Sequence, residues 1–426
     1  MGGWAASPSN IKGTIKGSAY AFGLKKISLD GWSRLIATIL GHADHPPCFA
    51  QMHEHVQYIT KVPPGEFFLT DATCMVQAFR QVSDWYGMDL PVAFTDIYNY
   101  EAEALGAEMV YGDIDMPTIN YSDPLIKEPG DLDRINLDLT IDSGRLRYLA
   151  DNVRGLKEYC DLPRILPFCA PFSLAVGLRS YPRLIRDMRK DPKFAHELFT
   201  WITDEVHPRI IRIMREETGA RLGMAADAWS CFPNLTPEMI ENWVVPYNTR
   251  LRKNARKQGM LVSVIASSDY CEENPERFDR DTMEFCWRAF SRAALGNWVK
   301  KGSPIMGMGR TQEWPLEWLR DYATRDLVKF YGNRFVVAGY NARFMREGPV
   351  EVIVDFTKRI IDVLGREGKL LIFFSQIPAS TPPEHVHAAI AAVKTYGKYP
   401  IAENLDDVKF EMPRFEPFDQ WQKKSW

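Results

Sequence analysis

The sequence predicts an α/β protein: a (β/α)8 TIM barrel with an N-terminal helical cap and a C-terminal tail. Two observations lead there. Eight short apolar runs alternate with helical patterns, and most of these runs are continuous rather than alternating. Continuous runs suit parallel strands with helices on one face and a packed barrel interior on the other. In addition, no GxGxxG turn follows the first strand, as an open dinucleotide-binding sheet would need. Gly307-Met308-Gly309 lacks the third glycine and suits a barrel loop.

Residues 1–45 form the cap, with a helix over 29–40 that begins at Asp30. The barrel occupies 46–400, with strands expected at Cys48–Met52, Pro91–Thr95, Ile165–Cys169, Leu222–Ala226, Leu261–Ala266, Pro304–Met308, Phe335–Ala338 and Leu370–Phe374. Helical periodicity is expected at Ala72–Tyr86, Gly144–Tyr159, Tyr181–Arg189, Lys193–Glu217, Pro237–Lys257, Glu284–Lys300, Trp314–Phe330 and Pro349–Leu364. The polar stretch 270–280 makes an excursion above the barrel. In the last unit, Ser375-Gln376-Ile377-Pro378 breaks the strand and a helix follows. Thr381 is placed to cap that helix, Pro382 suits its first turn and Glu384 takes the capping-box position. The tail 401–426 is acidic, aromatic and Pro-containing, suited to wrapping the surface or a partner subunit. No repeat, low-complexity tract or linker divides the chain, so residues 1–426 read as a single domain.

Composition narrows the class. Of 426 residues, 46% are hydrophobic and 25% charged, as in a soluble globular protein with a large core. A net charge of −3 gives no basis for nucleic-acid or anionic-membrane binding. No apolar run has the length of a membrane span, and the N-terminus lacks a secretory h-region. Ala6 breaks the myristoylation pattern that Met1-Gly2 begins. Seven cysteines without CxxC spacing indicate reduced thiols and a cytoplasmic location.

Chemistry in β/α barrels gathers at the C-terminal ends of strands. His53 and His55 end the first expected strand, Asp96 the second and Asp227 the fourth. As His-x-His plus two carboxylates, these four make a candidate zinc set; the alternative has one histidine binding substrate and the other packing among helices. Asp96 is suited to stabilising a developing cation, accepting a proton or holding a metal, and otherwise to capping the following helix. Asp227 is suited to polarising a substrate hydroxyl, and otherwise to anchoring the 233–235 loop. Tyr98, Asn99 and Tyr100 are placed at the entrance and, with Phe172 and Trp229, suggest an aromatic-walled, rather apolar pocket. Arg310 and Arg343 are candidates for binding a carboxylate or phosphate, although surface ion pairing is the commoner fate of such residues. Ser375 and Gln376 stand at the end of the last strand; Cys271 has no adjacent base to activate it.

Several segments resemble the uroporphyrinogen decarboxylase superfamily, in the right order across roughly residues 45–400. Phe94-Thr95-Asp96-Ile97 is similar to its FSDI element, followed by Ala104-Leu105-Gly106. Ala170-Pro171-Phe172-Ser173-Leu174 resembles APFTL, and Ala226-Asp227-Ala228-Trp229 with Leu235-Thr236-Pro237-Glu238 and Pro246-Tyr247 resembles DSW…LSPE…PY. Gly339-Tyr340-Asn341 with Phe344-Met345-Arg346-Glu347-Gly348, and the C-terminal Thr381-Pro382-Pro383-Glu384, complete the series. The resemblance implies the barrel, a catalytic role for Asp96 and a pocket-facing position for His53.

Departures from the family pattern bear on function. Where the heme-pathway decarboxylase carries carboxylate-binding arginines, this chain has His53 and Gln57; Gly177 and Ser375 replace the expected tyrosine and histidine. A tetra-anionic porphyrinogen requires fixed cationic donors, which argues against that substrate. The zinc-binding His-x-Cys and Cys of the coenzyme-M methyltransferase branch correspond to Ser267-Ser268-Asp269 and Ser375, and serines are poor zinc ligands. The resemblance to methyltransferases of aromatic O-demethylase systems implies methyl transfer between a small aromatic or apolar donor and a corrinoid (cobalamin). The cobalt-ligating DxHxxG motif is absent, so the corrinoid would come on a separate partner protein. The alternatives are a decarboxylase acting on an electron-rich ring, using Asp96, and a non-catalytic barrel serving as a binding subunit. Family members are often dimers, and the aromatic tail is compatible with a homodimer.

Overall fold

The computed structural model describes residues 30–94, 96–112, 116–230, 234–266, 280–281, 284, 288, 315–327, 335–374 and 376–425. The described strands are β1 (Cys48–Ala50), β2 (Met109–Val110), β3 (Thr118–Ile119), β4 (Ile165–Cys169), β5 (Leu222–Asp227), β6 (Leu261–Ala266), β7 (Val336–Tyr340) and β8 (Leu370–Phe374). Two parallel arcs result, one in the order β1-β8-β7 and the other β4-β5-β6. A parallel bridge between Phe49 and Leu90 extends the first arc. In it, Gly339 sits so close to its neighbour that a Cβ would lie 1.6 Å from the Phe373 carbonyl oxygen, so only glycine fits there.

Of the strand expected over 91–95, residues 91–94 form no ladder, and Thr95 lies outside the described residues. The Val92 and Phe94 amides donate back two residues, to the Leu90 and Val92 carbonyls at 2.9 and 3.0 Å. Pro91 has no N–H to give a ladder, and the chain tightens upon itself before Asp96. The first strand is likewise shorter than expected, because His53 opens the helix His53–Thr60. The short antiparallel pair β2–β3 had no signal in the hydrophobic pattern. The expected strand at 304–308, and most of the helix expected at 284–300, lie outside the described residues.

Helices form where periodicity and caps agree. Asp30 accepts the Ser33 amide at 2.8 Å to start Gly31–Leu40, and Asp71 accepts the Cys74 amide at 2.8 Å to start Ala72–Tyr86. The long helices expected at 193–217 and 237–257 are each interrupted by one wider π turn, Ile202–Val206 and Ile240–Val244, just before Pro208 and Pro246. Proline removes an N–H and its ring crowds the carbonyl four residues back, which such a turn relieves. The last barrel helix runs Pro383–Tyr396, one residue later than expected, and Thr381 does not cap it: its hydroxyl oxygen is buried and without a partner among the described residues.

Buried polar links fasten the periphery. Arg34 of the cap helix donates to Asp44 at 2.8 Å and Asp89 at 2.6 Å, while Asp89 accepts the Cys48 amide at 2.9 Å, at the N-terminal end of β1. The tail runs back over the helix Ala72–Tyr86: Trp85 Nε1 donates to the Glu416 carbonyl at 2.9 Å and Phe415 stacks on His387. No helix among the described residues is long and apolar enough to cross a membrane.

Candidate active site

The residues after β1 show how local structure redirects an apparent motif. His53 and His55 belong to a helix, where positions two apart point about 200° away from each other. His55 turns into the helical layer. Its Nδ1 lies 3.1 and 3.2 Å from the carbonyls of Ala379 and Pro378, and its Nε2 lies 2.7 Å from the Tyr86 hydroxyl. Carbonyls only accept, so Nδ1 carries the proton and Nε2 accepts from Tyr86. Burial lowers the His55 pKa to about 4, and the ring is neutral. Both nitrogens are occupied, so the expected roles in substrate or metal binding are not available to it.

His53 is 1% exposed, packs edge-on to Phe68, and has its Nε2 3.1 Å from Glu54 Oε2, without the alignment of a hydrogen bond. Glu54 also accepts from Gln376 Nε2 at 3.2 Å, which joins the start of the first barrel helix to the end of β8. Burial raises the Glu54 carboxyl, but His53 and Gln376 outweigh it and bring the carboxyl below its ordinary value. Gln57, expected to contact substrate, instead donates to the Val62 carbonyl at 2.8 Å at the end of its own helix.

Asp96 is 2% exposed and adopts φ +53°, in the left-handed region that aspartate tolerates better than most residues. Its two carboxylate oxygens accept from Asn99 Nδ2 and Arg145 Nη2. Asn99 also donates to the Pro117 carbonyl at 2.8 Å, so it is a clamp between Asp96 and the β2–β3 hairpin. Arg145 further donates to Glu103 at 2.7 Å and the Phe68 carbonyl at 3.0 Å, and lies 5.1 Å from the Tyr100 ring centre. Burial raises the Asp96 carboxyl to about 6 while Arg145 opposes the rise; burial also works against the Arg145 charge, yet Asp96 outweighs it. The pair is therefore ionised at neutral pH.

Glu101 follows in the helix Tyr100–Ala104 and is 0% exposed. Its Oε1 accepts the Cys169 amide at 2.9 Å, at the end of β4. Burial lifts this acid to about 8, the Cys169 amide opposes the rise and the Asp96 charge adds to it, so Glu101 is protonated at neutral pH. Two carboxyls five positions apart in the chain thus carry opposite protonation states.

Asp227 is built into the frame. It accepts the Ser173 amide at 3.0 Å, the Ser173 hydroxyl at 2.8 Å and Asn248 Nδ2 at 3.2 Å. The helix Pro171–Arg179 has no capping side chain of its own, and Asp227 supplies a negative charge at its N-terminus. Burial raises this carboxyl to about 6, against the pull of its Ser173 and Asn248 donors.

The aromatic wall is only partly the expected one. Trp229 is half-buried, stacked on Tyr181 at 5.4 Å and edge-on to Tyr121 at 6.1 Å. Phe172 is 1% exposed and stacked on Phe199 within the helical layer, so it does not line a pocket. Tyr98 is half-buried against the core. Arg343 forms an exposed ion pair with Glu347 at 2.9 Å, the surface fate weighed for it. Arg310 and Ser375 lie outside the described residues. Among the described residues no three His, Cys, Asp or Glu side chains gather to hold a metal ion, so the set His53, His55, Asp96 and Asp227 does not fit a shared zinc.

Sequence reasoning missed Arg145, Glu54, Glu101, Glu103, Tyr121 and Tyr181. Glu101 and Glu103 could have been noticed as charges beside an apolar strand end; nothing local marks Arg145, 49 residues from Asp96.

Comparison with known proteins gives the same frame. A curated relative, the uroporphyrinogen decarboxylase of Myxococcus xanthus (strain DK1622), is 27% identical over 187 residues, covering 42% of this chain and 51% of the relative. The match thus spans about half that relative's length. Among solved structures, a methyltransferase from Methanosarcina mazei superposes with a TM-score of 0.61 at 16% identity, over 86% of this chain and 98% of its own, a likeness of fold. A B12-independent methionine synthase from Shewanella sp. W3-18-1, in complex with selenomethionine, gives a TM-score of 0.46 at 12% identity over 82% of this chain and 96% of its own. The uroporphyrinogen decarboxylase (URO-D) family model matches residues 33–396, and the chain belongs to that family.

Proposed function

We propose that this chain is a methyltransferase that moves a methyl group between a small aromatic or apolar donor and a corrinoid carried on a separate protein. The two parallel arcs are read as parts of one closed (β/α)8 barrel. The observation that carries the functional reading is the state of the cation at Asp96. Arg145 is held by Asp96, Glu103 and the Phe68 carbonyl, so it offers no free fork to a substrate carboxylate. By the resemblance, His53 and Gln57 correspond to the family's carboxylate-binding arginines. Buried carboxyls, one imidazole and the Tyr121–Trp229–Tyr181 rings suit an uncharged, ring-bearing substrate.

A corrinoid brought by the partner would supply the nucleophile for the methyl group. The chain's own residues orient the donor, exclude water and manage the proton on the leaving atom. His53 carries that proton in this reading, with Glu54 beside its Nε2 to hold the ring. The reading routes no step through zinc: among the described residues the four expected to hold it do not share a site.

The test is direct. Purified chain, cob(I)alamin and anisole should form methylcobalamin, visible in the absorption spectrum, and His53→Ala should slow it by roughly 10²–10³-fold. Methylcobalamin formation no faster than without protein overturns the proposal. A second reading, decarboxylation of an electron-rich ring carboxylate, is favoured by the name of the Myxococcus xanthus relative and by the buried carboxylate at Asp96. Carbon dioxide release from pyrrole-2-carboxylate, abolished in Asp96→Asn, would support that reading instead.

A further inference from the structure

We propose that Glu101 is a substrate-facing hydrogen-bond donor, whose buried Oε2 carries the carboxylic proton and offers it to a neutral oxygen atom of the bound small molecule. The proposal rests on the reading above in one respect: it takes the Asp96 end of the barrel as the substrate site.

Donor and acceptor accounting leads to it. Glu101 Oε1 accepts the Cys169 amide at 2.9 Å, which fixes the carboxyl at the end of β4. The Cys169 peptide is held from its other side as well, since His207 Nε2 donates to its carbonyl at 2.9 Å. With Oε1 acting as acceptor, the proton of the neutral acid belongs on Oε2. That atom is buried and has no hydrogen-bond partner among the described residues. Several of the other buried atoms without a partner differ in kind, and Arg215 Nε, itself a donor, belongs to a guanidinium whose Nη1 already donates to the Gln258 carbonyl. Asn152 Oδ1 and Asn248 Oδ1 are acceptors, and His207 Nδ1 is the unprotonated nitrogen of a neutral ring. An under-used acceptor is tolerated; an orphaned buried donor is uncommon and costs about 1–3 kcal/mol.

A structural role does not account for this. An anchor for the Cys169 amide needs only one acceptor oxygen, which Gln or Asn chemistry supplies without a second, proton-bearing oxygen in a dry place. Asp96, five positions earlier, already provides the ionised carboxylate, so Glu101 adds a different capability: a donor that stays protonated at neutral pH. Opposed protonation states in neighbouring carboxyls are how sites divide acceptor and donor duties.

Infrared difference spectroscopy tests it. Wild type minus Glu101→Gln at pH 7 should show one carboxylic-acid carbonyl band, and an excess of anisole should move that band to lower frequency. Glu101→Leu should bind anisole roughly tenfold more weakly than wild type by fluorescence titration, and Glu101→Gln, whose amide still donates, should stay near wild type. Circular dichroism confirms that both variants fold. Absence of the acid band, a band that anisole does not move, or wild-type affinity in Glu101→Leu each overturns the proposal. Methyl transfer can fail while the band still moves, which separates this proposal from the reading it rests on.

Discussion

Arg145 donates Nη2 to the carboxylate of Asp96 from 49 residues farther along the chain, and both side chains are at most 8% exposed. The pair joins the turn after residues 90–94 to the start of the helix Leu146–Tyr159. Removal of the cation leaves a buried carboxylate alone with one amide donor, Asn99. Arg145→Met should therefore destabilise the protein by about 3–5 kcal/mol. Arg145→Met/Asp96→Asn should be less unstable than the sum of the single variants, measured by urea unfolding. Strict additivity would show that the pair does not act as a unit.

Glu101 makes stability depend on pH in a defined window. Its folded-state pKa of about 8 lies above the ordinary value of 4.5, so the folded state binds the proton more tightly. The stabilisation is full below 4.5 and is lost as pH rises through about 8. Relative to Glu101→Gln, wild type should lose up to roughly 5 kcal/mol across that range. Parallel pH–stability curves for the two proteins would contradict this.

The Tyr86 hydroxyl satisfies His55 Nε2 at 2.7 Å in the helical layer. Tyr86→Phe leaves a buried imidazole nitrogen without its donor and should cost about 1–3 kcal/mol in chemical denaturation. Methylcobalamin formation should not change, since His55 faces away from the candidate site. A drop in turnover at unchanged stability would return His55 to the active site.

Gly339 has no room for a side chain beside the Phe373 carbonyl. Gly339→Ala should force β7 and β8 apart and cost more than about 4 kcal/mol. Little soluble protein is expected, and a near-normal Tm would mean that the strands can separate without loss.

The sequence by itself determined the alternation of strands and helices, the start of the cap helix at Asp30, and the apolar interior of β4, β5 and β8, because periodicity and capping are local properties of a few consecutive residues. It also singled out Asp96 and His53, which it placed at expected strand ends. It could not tell that Pro91 denies the second strand a ladder, or that His53 and His55 part company in a helix, because both depend on where one strand stops. Only the tertiary structure brought Arg145 to Asp96, Glu101 to the Cys169 amide and Asp227 to the N-terminus of Pro171–Arg179. Those contacts join segments 49, 68 and 54 positions apart. Burial in that shared interior, which no local stretch encodes, raises both carboxyls; Arg145 and Asn99 hold Asp96 ionised, while Glu101, without a cation beside it among the described residues, stays protonated.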